Sequence, residues 1–386
     1  MLAMSGLAAP PRLLHCFPTF AAGGAQVRLI RLLAATAGSY EHAVLALDGN
    51  TSARELFEPG CGAAFPAPPP RAGTLSSLRA LRALLRREHP TLVLTYNWGA
   101  IEAAMAARSL GLPLLHHEDG FRPDEVHGQK PRRVWTRRLA LRGADLVVPS
   151  RTLERIALAS WRLARERVHY IANGIRSERY GPPDRNLGLR AELGLDERDL
   201  VIGTVAHLRA EKNLLRLLGA VARLPSPVKL LVLGDGPERG ALEARAARPE
   251  LAGRVVFAGH RADLPPWYRA FDAFALSSDT EQMPLSLLEA MASGLACAST
   301  DVGDVRDMLP GEQRAQVVPA AAGEAGEVEL ARALEPLLAD PALRARLGRL
   351  NRARAEREFA FDAMVRAHAR LWEASATIRG RPRPSA

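Results

Sequence analysis

Two carboxylates, Glu281 and Glu289, frame the stretch Ser277–Ser299, SSDTEQMPLSLLEAMASGLACAS, with seven residues between them. Pro284 suits the first turn of a helix and Gly294 its end. Between them Leu285, Leu287, Leu288, Ala290, Met291 and Ala292 are apolar all round, so the helix is predicted to be buried. Glu289 then lies inside an apolar helix, and burial without a cation or hydroxyl donor would be costly. A ribose diol supplies two such donors, and an arginine from a neighbouring element is the ordinary alternative. Glu281 precedes the helix in a loop, where another polyol could sit. A second constellation is His207-Leu208-Arg209-Ala210-Glu211-Lys212-Asn213, between an apolar strand and a helix. Arg209 and Lys212 beside free backbone N–H groups suit a diphosphate. Surface cations are the ordinary alternative, but all except three of the 52 basic residues are arginine, and one of those three lysines is Lys212. A third is His116-His117-Glu118-Asp119 at the end of the strand that starts at Pro113. Strand alternation puts His117 and Asp119 on one face and His116 and Glu118 on the other. The first pair is expected to face the site.

These residues need strands to carry them. Apolar runs near Arg12, His42, Leu92, Pro113, Leu146 and Val168 alternate with helical segments. The pattern restarts near Val201, Lys229, Arg254, Asp272 and Leu295. That alternation argues for parallel, doubly wound sheets, whose sites form at the carboxyl ends of strands. A chain of 386 residues accommodates two such domains. The polar, proline-rich GPPDRNLG from Gly181 reads as the linker. The domains are therefore expected at 1–180 and 181–360, with a helix at about 361–376 crossing back onto the first and a disordered tail at 377–386.

Composition excludes little but tempers several readings. No apolar run reaches membrane-spanning length, and the first residues lack the form of a signal peptide. Cys16, Cys61 and Cys297 show neither metal-ligand nor disulfide spacing, so a reducing, cytoplasmic setting is expected. The formal charge is +10, but its arginine make-up follows a general Arg, Ala, Gly and Pro bias and is weak evidence for a partner. A nucleic-acid binder would also want interleaved aromatics, and only 5% of residues are aromatic. Lys130–Arg142, KPRRVWTRRLALR, holds six basic residues and no acid. Val134, Trp135, Leu139 and Leu141 could form the apolar side of a helix there, leaving a basic face that is either solvated or meets an anionic membrane or acceptor.

The stretch around Glu281 resembles the Glu-x7-Glu motif of retaining glycosyltransferases of the GT-B fold, in particular family 4. Glu281, Pro284, Glu289, Ala290, Met291, Ala292 and Gly294 carry that resemblance. Leu208, Glu211, Lys212 and Asn213 match a second family motif, with Ala206 and His207 replacing its Gly-Arg start. Gly234, Gly236 and Pro237 match a third, Gly23-Gly24 stands where the family has its Gly-Gly loop, and Asn173-Gly174-Ile175 resembles the turn that closes its first domain.

The resemblance implies an α/β GT-B fold: two Rossmann-like doubly wound domains facing a cleft. It implies transfer of a sugar, with retention, from a UDP- or GDP-sugar to a glycan or lipid-linked acceptor hydroxyl, in exopolysaccharide or lipid-linked glycan synthesis. Gly23, Gly24, His207, Arg209, Lys212, Gly234, His260, Arg261, Glu281, Met283, Pro284, Leu285 and Glu289 would bind the donor. His117, Asp119, Arg209, Lys212 and Glu281 would serve catalysis. No cofactor and no metal is expected, in keeping with the lack of an Asp-x-Asp pair. A cytoplasmic enzyme, peripheral at the inner face of the membrane and without nucleic acid, completes the expectation. Alternatives within the fold are a nucleotide-sugar epimerase and a glycan phosphorylase. Outside it stand an NAD-dependent oxidoreductase, resting on GDGPERG alone, and a basic nucleic-acid-binding module, resting on charge.

Overall fold

The computed structural model describes residues 10–70, 73–121, 125, 128–182, 184–225 and 228–377. The expected tail at 377–386 lies, beyond Thr377, outside the described residues. The chain forms two compact units, one comprising residues up to Ala172 and again from Met364 onward, the other Asn173–Ala363. The division falls at Ala172/Asn173 and not at the Gly181 linker. The Asn173 side-chain amide donates to the carbonyl oxygen of Met283 at 2.9 Å. Ile175 exchanges backbone hydrogen bonds with Phe359 and Phe361. The turn is thus built into the second unit.

The first unit holds a six-stranded sheet: β1 (Arg12–Phe17), β2 (Glu41–Ala46), β3 (Leu92–Tyr96), β4 (Leu114–His117), β5 (Asp145–Val148) and β6 (Val168–Tyr170). Its spatial order is β2-β1-β3-β4-β5-β6, and all pairs are parallel. The second holds β7 (Leu200–Val205), β8 (Val228–Leu233), β9 (Val255–Gly259), β10 (Ala273–Leu276), β11 (Ala296–Thr300) and β12 (Val317–Val318). Their order is β12-β11-β10-β7-β8-β9, again all parallel. Both are doubly wound Rossmann-like sheets, as the alternation predicted. The strands read as unbroken apolar runs because helices cover both faces. Each sheet has its own core, Leu14, Val93, Leu146 and Trp161 in the first and Leu217, Leu230, Ala275 and Leu334 in the second.

In such sheets a ligand crevice opens where the winding reverses. That point lies between β1 and β3 in the first unit and between β7 and β10 in the second. The final helix, Phe361–Thr377, brings His368 and Trp372 into the first unit. Trp372 is fully buried there, edge-on to His15, His42 and Tyr40.

The basic helix, Pro131–Ala140, departs from its expected amphipathy. Arg137 is fully buried and Arg133 nearly so, while Trp135 and Leu139 are 61% and 65% exposed. Arg137 stacks between Trp98, Phe121 and Trp161 at 5.0–5.5 Å and donates to Glu118 at 3.0 Å. Arg133 pairs with Glu125 at 2.8 Å. Two buried acids and three rings on other elements therefore draw these arginines inward, which periodicity along one helix does not reveal.

Candidate active site

In the second unit the residues after β7 and β10 converge across the switch point. Lys212 lies in the short 3-10 turn Ala210–Lys212, directly before the helix Leu214–Arg223. Asn213 caps that helix from a left-handed conformation at φ 43°. Lys212 Nζ meets Glu281 Oε1 at 2.6 Å. Ser278 donates to the same oxygen at 2.9 Å. The loop carrying Glu281 is tied down at each turn. Asp279 accepts from Asn213 at 3.0 Å and from Arg216 at 2.6 Å. Thr300 donates to the carbonyl of Ser278 at 2.6 Å. Gly303, at φ 57°, passes so close that a Cβ there would lie 2.4 Å from the carbonyl oxygen of Glu281.

Glu289 is 4% exposed on the helix Leu285–Ala292. Its carboxylate accepts from the hydroxyl of Tyr268 at 3.0 Å. A tyrosine hydroxyl is thus one donor to that buried carboxylate. Burial and the neighbouring Glu289 together push the Tyr268 phenol well above its ordinary range, so it stays a donor. Met283 is buried against Asn173, Pro284 precedes the helix as its cap residue, and Leu285 is half-buried.

The remaining residues expected around a donor spread along the same strand ends. Arg209 is more than half exposed, 3.9 Å from Glu211. His207 and His260 are exposed, and so is Arg261, whose guanidinium lies 4.6 Å from the centre of the Trp267 ring. Partial burial and the charge of Arg209 lower the His207 imidazole below its ordinary value. Gly234 and Gly236 have a reason internal to the fold. A Cβ on Gly234 would fall 1.8 Å from the carbonyl oxygen of Ala206, and one on Gly236 2.5 Å from that of Leu208. The loop after β7 therefore packs directly on this turn.

In the first unit Gly23 and Gly24 are exposed at the start of the helix Gly24–Ala35. Arg28, one turn on, is buried and pairs with Asp119 at 2.6 Å. Asp119 and His117 share one set of neighbours. His117 is 2% exposed and stacks on Tyr96, ring centres 4.6 Å apart, and on His368, 5.8 Å. Burial, then His368 and Arg28, hold it well below the ordinary imidazole range, so it is neutral. His116 and Glu118 have another set. His116 Nδ1 lies 2.7 Å from the Thr95 hydroxyl, and Glu118 pairs with Arg137. Burial alone would raise the Glu118 carboxyl, but Arg137 and His116 outweigh it and lower it.

Sequence reasoning missed Arg28, Asn97, Arg216 and Tyr268, none of which stands in a recognisable motif, and passed over Asp279 inside the stretch that carries Glu281. Each reveals itself through a partner distant in the chain.

Two family models match the chain: "Glycosyl transferase 4-like domain" over residues 23–174 and "Glycosyl transferases group 1" over residues 199–340. Among curated relatives, the alpha-maltose-1-phosphate synthase of Mycobacterium tuberculosis is 28% identical over 372 residues, 89% of this chain and 94% of that one. A GDP-mannose-dependent alpha-mannosyltransferase of the same organism is 30% identical over 257 residues, 64% of each. The lipopolysaccharide core biosynthesis mannosyltransferase LpsB of Rhizobium meliloti is 33% identical over 149 residues, 36% of this chain and 42% of LpsB. Among solved structures, HepE of Anabaena in complex with UDP-glucose superposes with a TM-score of 0.80 at 20% identity, covering 94% of this chain and 99% of that one. WaaG, a glycosyltransferase involved in lipopolysaccharide biosynthesis, gives 0.70 at 18%, covering 95% and 99%.

Proposed function

Since the chain belongs to the GT-B glycosyltransferases of family 4 type, we propose that it moves a sugar, with retention, from a nucleoside-diphosphate sugar to a hydroxyl of a glycan or lipid-linked acceptor. The observation that carries this is the 2.6 Å contact of Lys212 with Glu281 across the switch point of the second sheet. A cation and an acid, both partly open to water, neutralise each other there. A diphosphate takes Glu281's place on Lys212, with Arg209 closing on it. Glu281 is thereby released to accept from sugar hydroxyls. Cations fixed beside a leaving diphosphate stabilise charge that grows as the glycosyl bond breaks, which lowers the barrier. Such a clamp does this work without a metal. Glu289, oriented by Tyr268, accepts from the ribose diol. Gly23, Gly24, His117 and Asp119 in the first unit serve the transferring sugar and the acceptor.

Support for the donor class comes from the relatives: HepE was solved with UDP-glucose, and one M. tuberculosis relative is named GDP-mannose-dependent. LpsB, named for lipopolysaccharide core synthesis, fits a setting of exopolysaccharide or lipid-linked glycan assembly. Thermal shift with UDP, GDP, UDP-glucose and GDP-mannose tests the reading. One diphosphate and its sugar should raise the melting temperature at saturation. Glu289→Ala should lose the response to the free diphosphate, whereas Glu281→Ala should lose only the extra response to the sugar nucleotide. No response to any of the four would overturn the proposal.

A cytoplasmic protein held peripherally at an anionic membrane fits the exposed face of the helix Pro131–Ala140. Trp135 and Leu139 project there beside Arg132 and Arg142, an apolar anchor rimmed by positive charge. No helix among the described residues is long and apolar enough to cross a membrane. Trp135→Ala with Arg132→Gln and Arg142→Gln should weaken binding to phosphatidylglycerol vesicles and spare the buried Arg133 and Arg137. Unchanged binding removes the membrane from the account.

A further inference from the structure

The carboxyl end of β4 is gripped from both sides of the switch point in the first sheet. Asn97 follows β3 directly, and Arg28 sits on the helix that follows β1. Asn97 has φ 57° and ψ 174°, a combination that glycine tolerates and other residues rarely adopt. Such backbone persists only where its surroundings over-determine it. Here they do. The Asn97 N–H donates to the carbonyl oxygen of His117 at 2.7 Å. Its Oδ1 accepts the N–H of Asp119 at 2.7 Å. An atom facing a backbone N–H must be the amide oxygen, so the side chain has one orientation. Two residues on, a Cβ at Gly99 would come 2.4 Å from Cβ of Pro18, so this turn is pressed against the end of β1. Arg28 holds the Asp119 carboxylate at 2.6 Å, the two side chains being 8% and 14% exposed, and both carboxylate oxygens are buried, as is Nδ1 of His117.

His117 is held differently. Tyr96 and His368 stack on its ring at interplanar angles of 14° and 2°, and the residue is 2% exposed. We propose that Asn97 and Arg28 are positioning residues that clamp Asp119 by its backbone amide and its carboxylate, and that Asp119, not His117, is the member of this strand end that touches the transferring sugar. The inference rests on the glycosyltransfer reading above and decides between the two residues it leaves open. A residue fixed at its backbone amide and at its carboxylate needs little reorganisation when a sugar hydroxyl or a developing positive charge arrives. A ring stacked on two others is a wall of the site.

Asn97→Gly separates this role from a structural one, because glycine fits φ 57° while deleting the side chain. With UDP-glucose or GDP-mannose as donor and water as acceptor, release of free diphosphate reports turnover. Asn97→Gly should keep or raise the melting temperature and keep the donor KM within about threefold, yet lower kcat at least about tenfold, the scale of a misplaced reacting group. Arg28→Gln should lower kcat likewise, and Arg28→Lys should restore most of it. Should Arg28→Gln fail to fold, Asn97→Gly decides alone. Near-parental kcat in Asn97→Gly, with Asp119→Asn inactive, overturns the clamp and leaves the proposed function standing. Near-parental kcat in Asp119→Asn, with His117→Ala inactive, overturns the choice of Asp119. Near-parental kcat in both of those removes this strand end from the proposed function.

Discussion

The two switch points hold their charged residues in opposite ways. In the second unit, Lys212 and Glu281 are 24% and 12% exposed, and Arg209 is 56% exposed. Water screens such pairs, and exchanging one partner for a ligand costs little. In the first unit, Glu118 and Arg137 are fully buried, Arg28 is buried against Asp119, whose side chain is as little exposed as that of Glu281, and His117 beside them is neutral. A buried pair is costly to break, because the survivor keeps its charge without water. The first arrangement suits residues that must change partners each turnover. The second suits residues that must not move.

The largest effect should come from breaking a pair in the first unit. Arg137→Ala removes the partner of Glu118 and the cation among three rings. It should cost about 3–5 kcal/mol in urea unfolding, whereas Arg209→Ala in the second unit should cost under about 1 kcal/mol. Equal losses would erase the contrast.

Acid should also find the first unit. Burial lowers His42 and His368 to about 4, and lowers His15 and His117 well below their ordinary range. An unfolded chain binds these protons near pH 6.5 and the folded unit does not. Their stabilisation is therefore complete above pH 6.5 and is lost as pH falls toward 4. For His42 and His368 the loss is about 3 kcal/mol each at pH 4. The second unit's histidines, His207 and His260, are exposed. Fluorescence-monitored melts at pH 7, 5.5 and 4 should show the part containing Trp98, Trp161 and Trp372 unfolding first. A single transition with the same midpoint at all three would contradict this.

A smaller effect should sharpen the picture of the second unit. Gly303→Ala forces a side chain into the left-handed region and against the carbonyl oxygens of Glu281 and Gln282. It should cost roughly 1–3 kcal/mol and, through the displaced Glu281 loop, weaken binding of the sugar nucleotide more than that of the free diphosphate, both measurable by calorimetry. Unchanged stability would show that the loop yields freely.

The strands, their alternation and both doubly wound sheets were legible because parallel sheets covered on both faces need unbroken apolar runs. Lys212, Glu281 and Glu289 stood out through residue type and spacing within single stretches. What escaped are relations between stretches. Arg28 looks like any arginine on an amphipathic helix until Asp119 is seen beside it. Asn97 looks like an ordinary loop residue until its φ is known. The basic helix misled because the partners of Arg137 are Glu118, Trp98 and Trp161, on three other elements. Gly234 and Gly236 of GDGPERG show the same gap: the sequence offers a nucleotide loop as their reason, and only the structure adds the close backbone at Ala206 and Leu208.

Calorimetric titration of the parental chain and of Lys212→Ala with UDP and with GDP tests the central claim most directly. The account predicts that the parent binds one of the two, and that Lys212→Ala binds it roughly 10- to 100-fold more weakly, the scale of one charge-assisted hydrogen bond. Equal affinity in the two proteins, or no binding of either diphosphate to the parent, would contradict it.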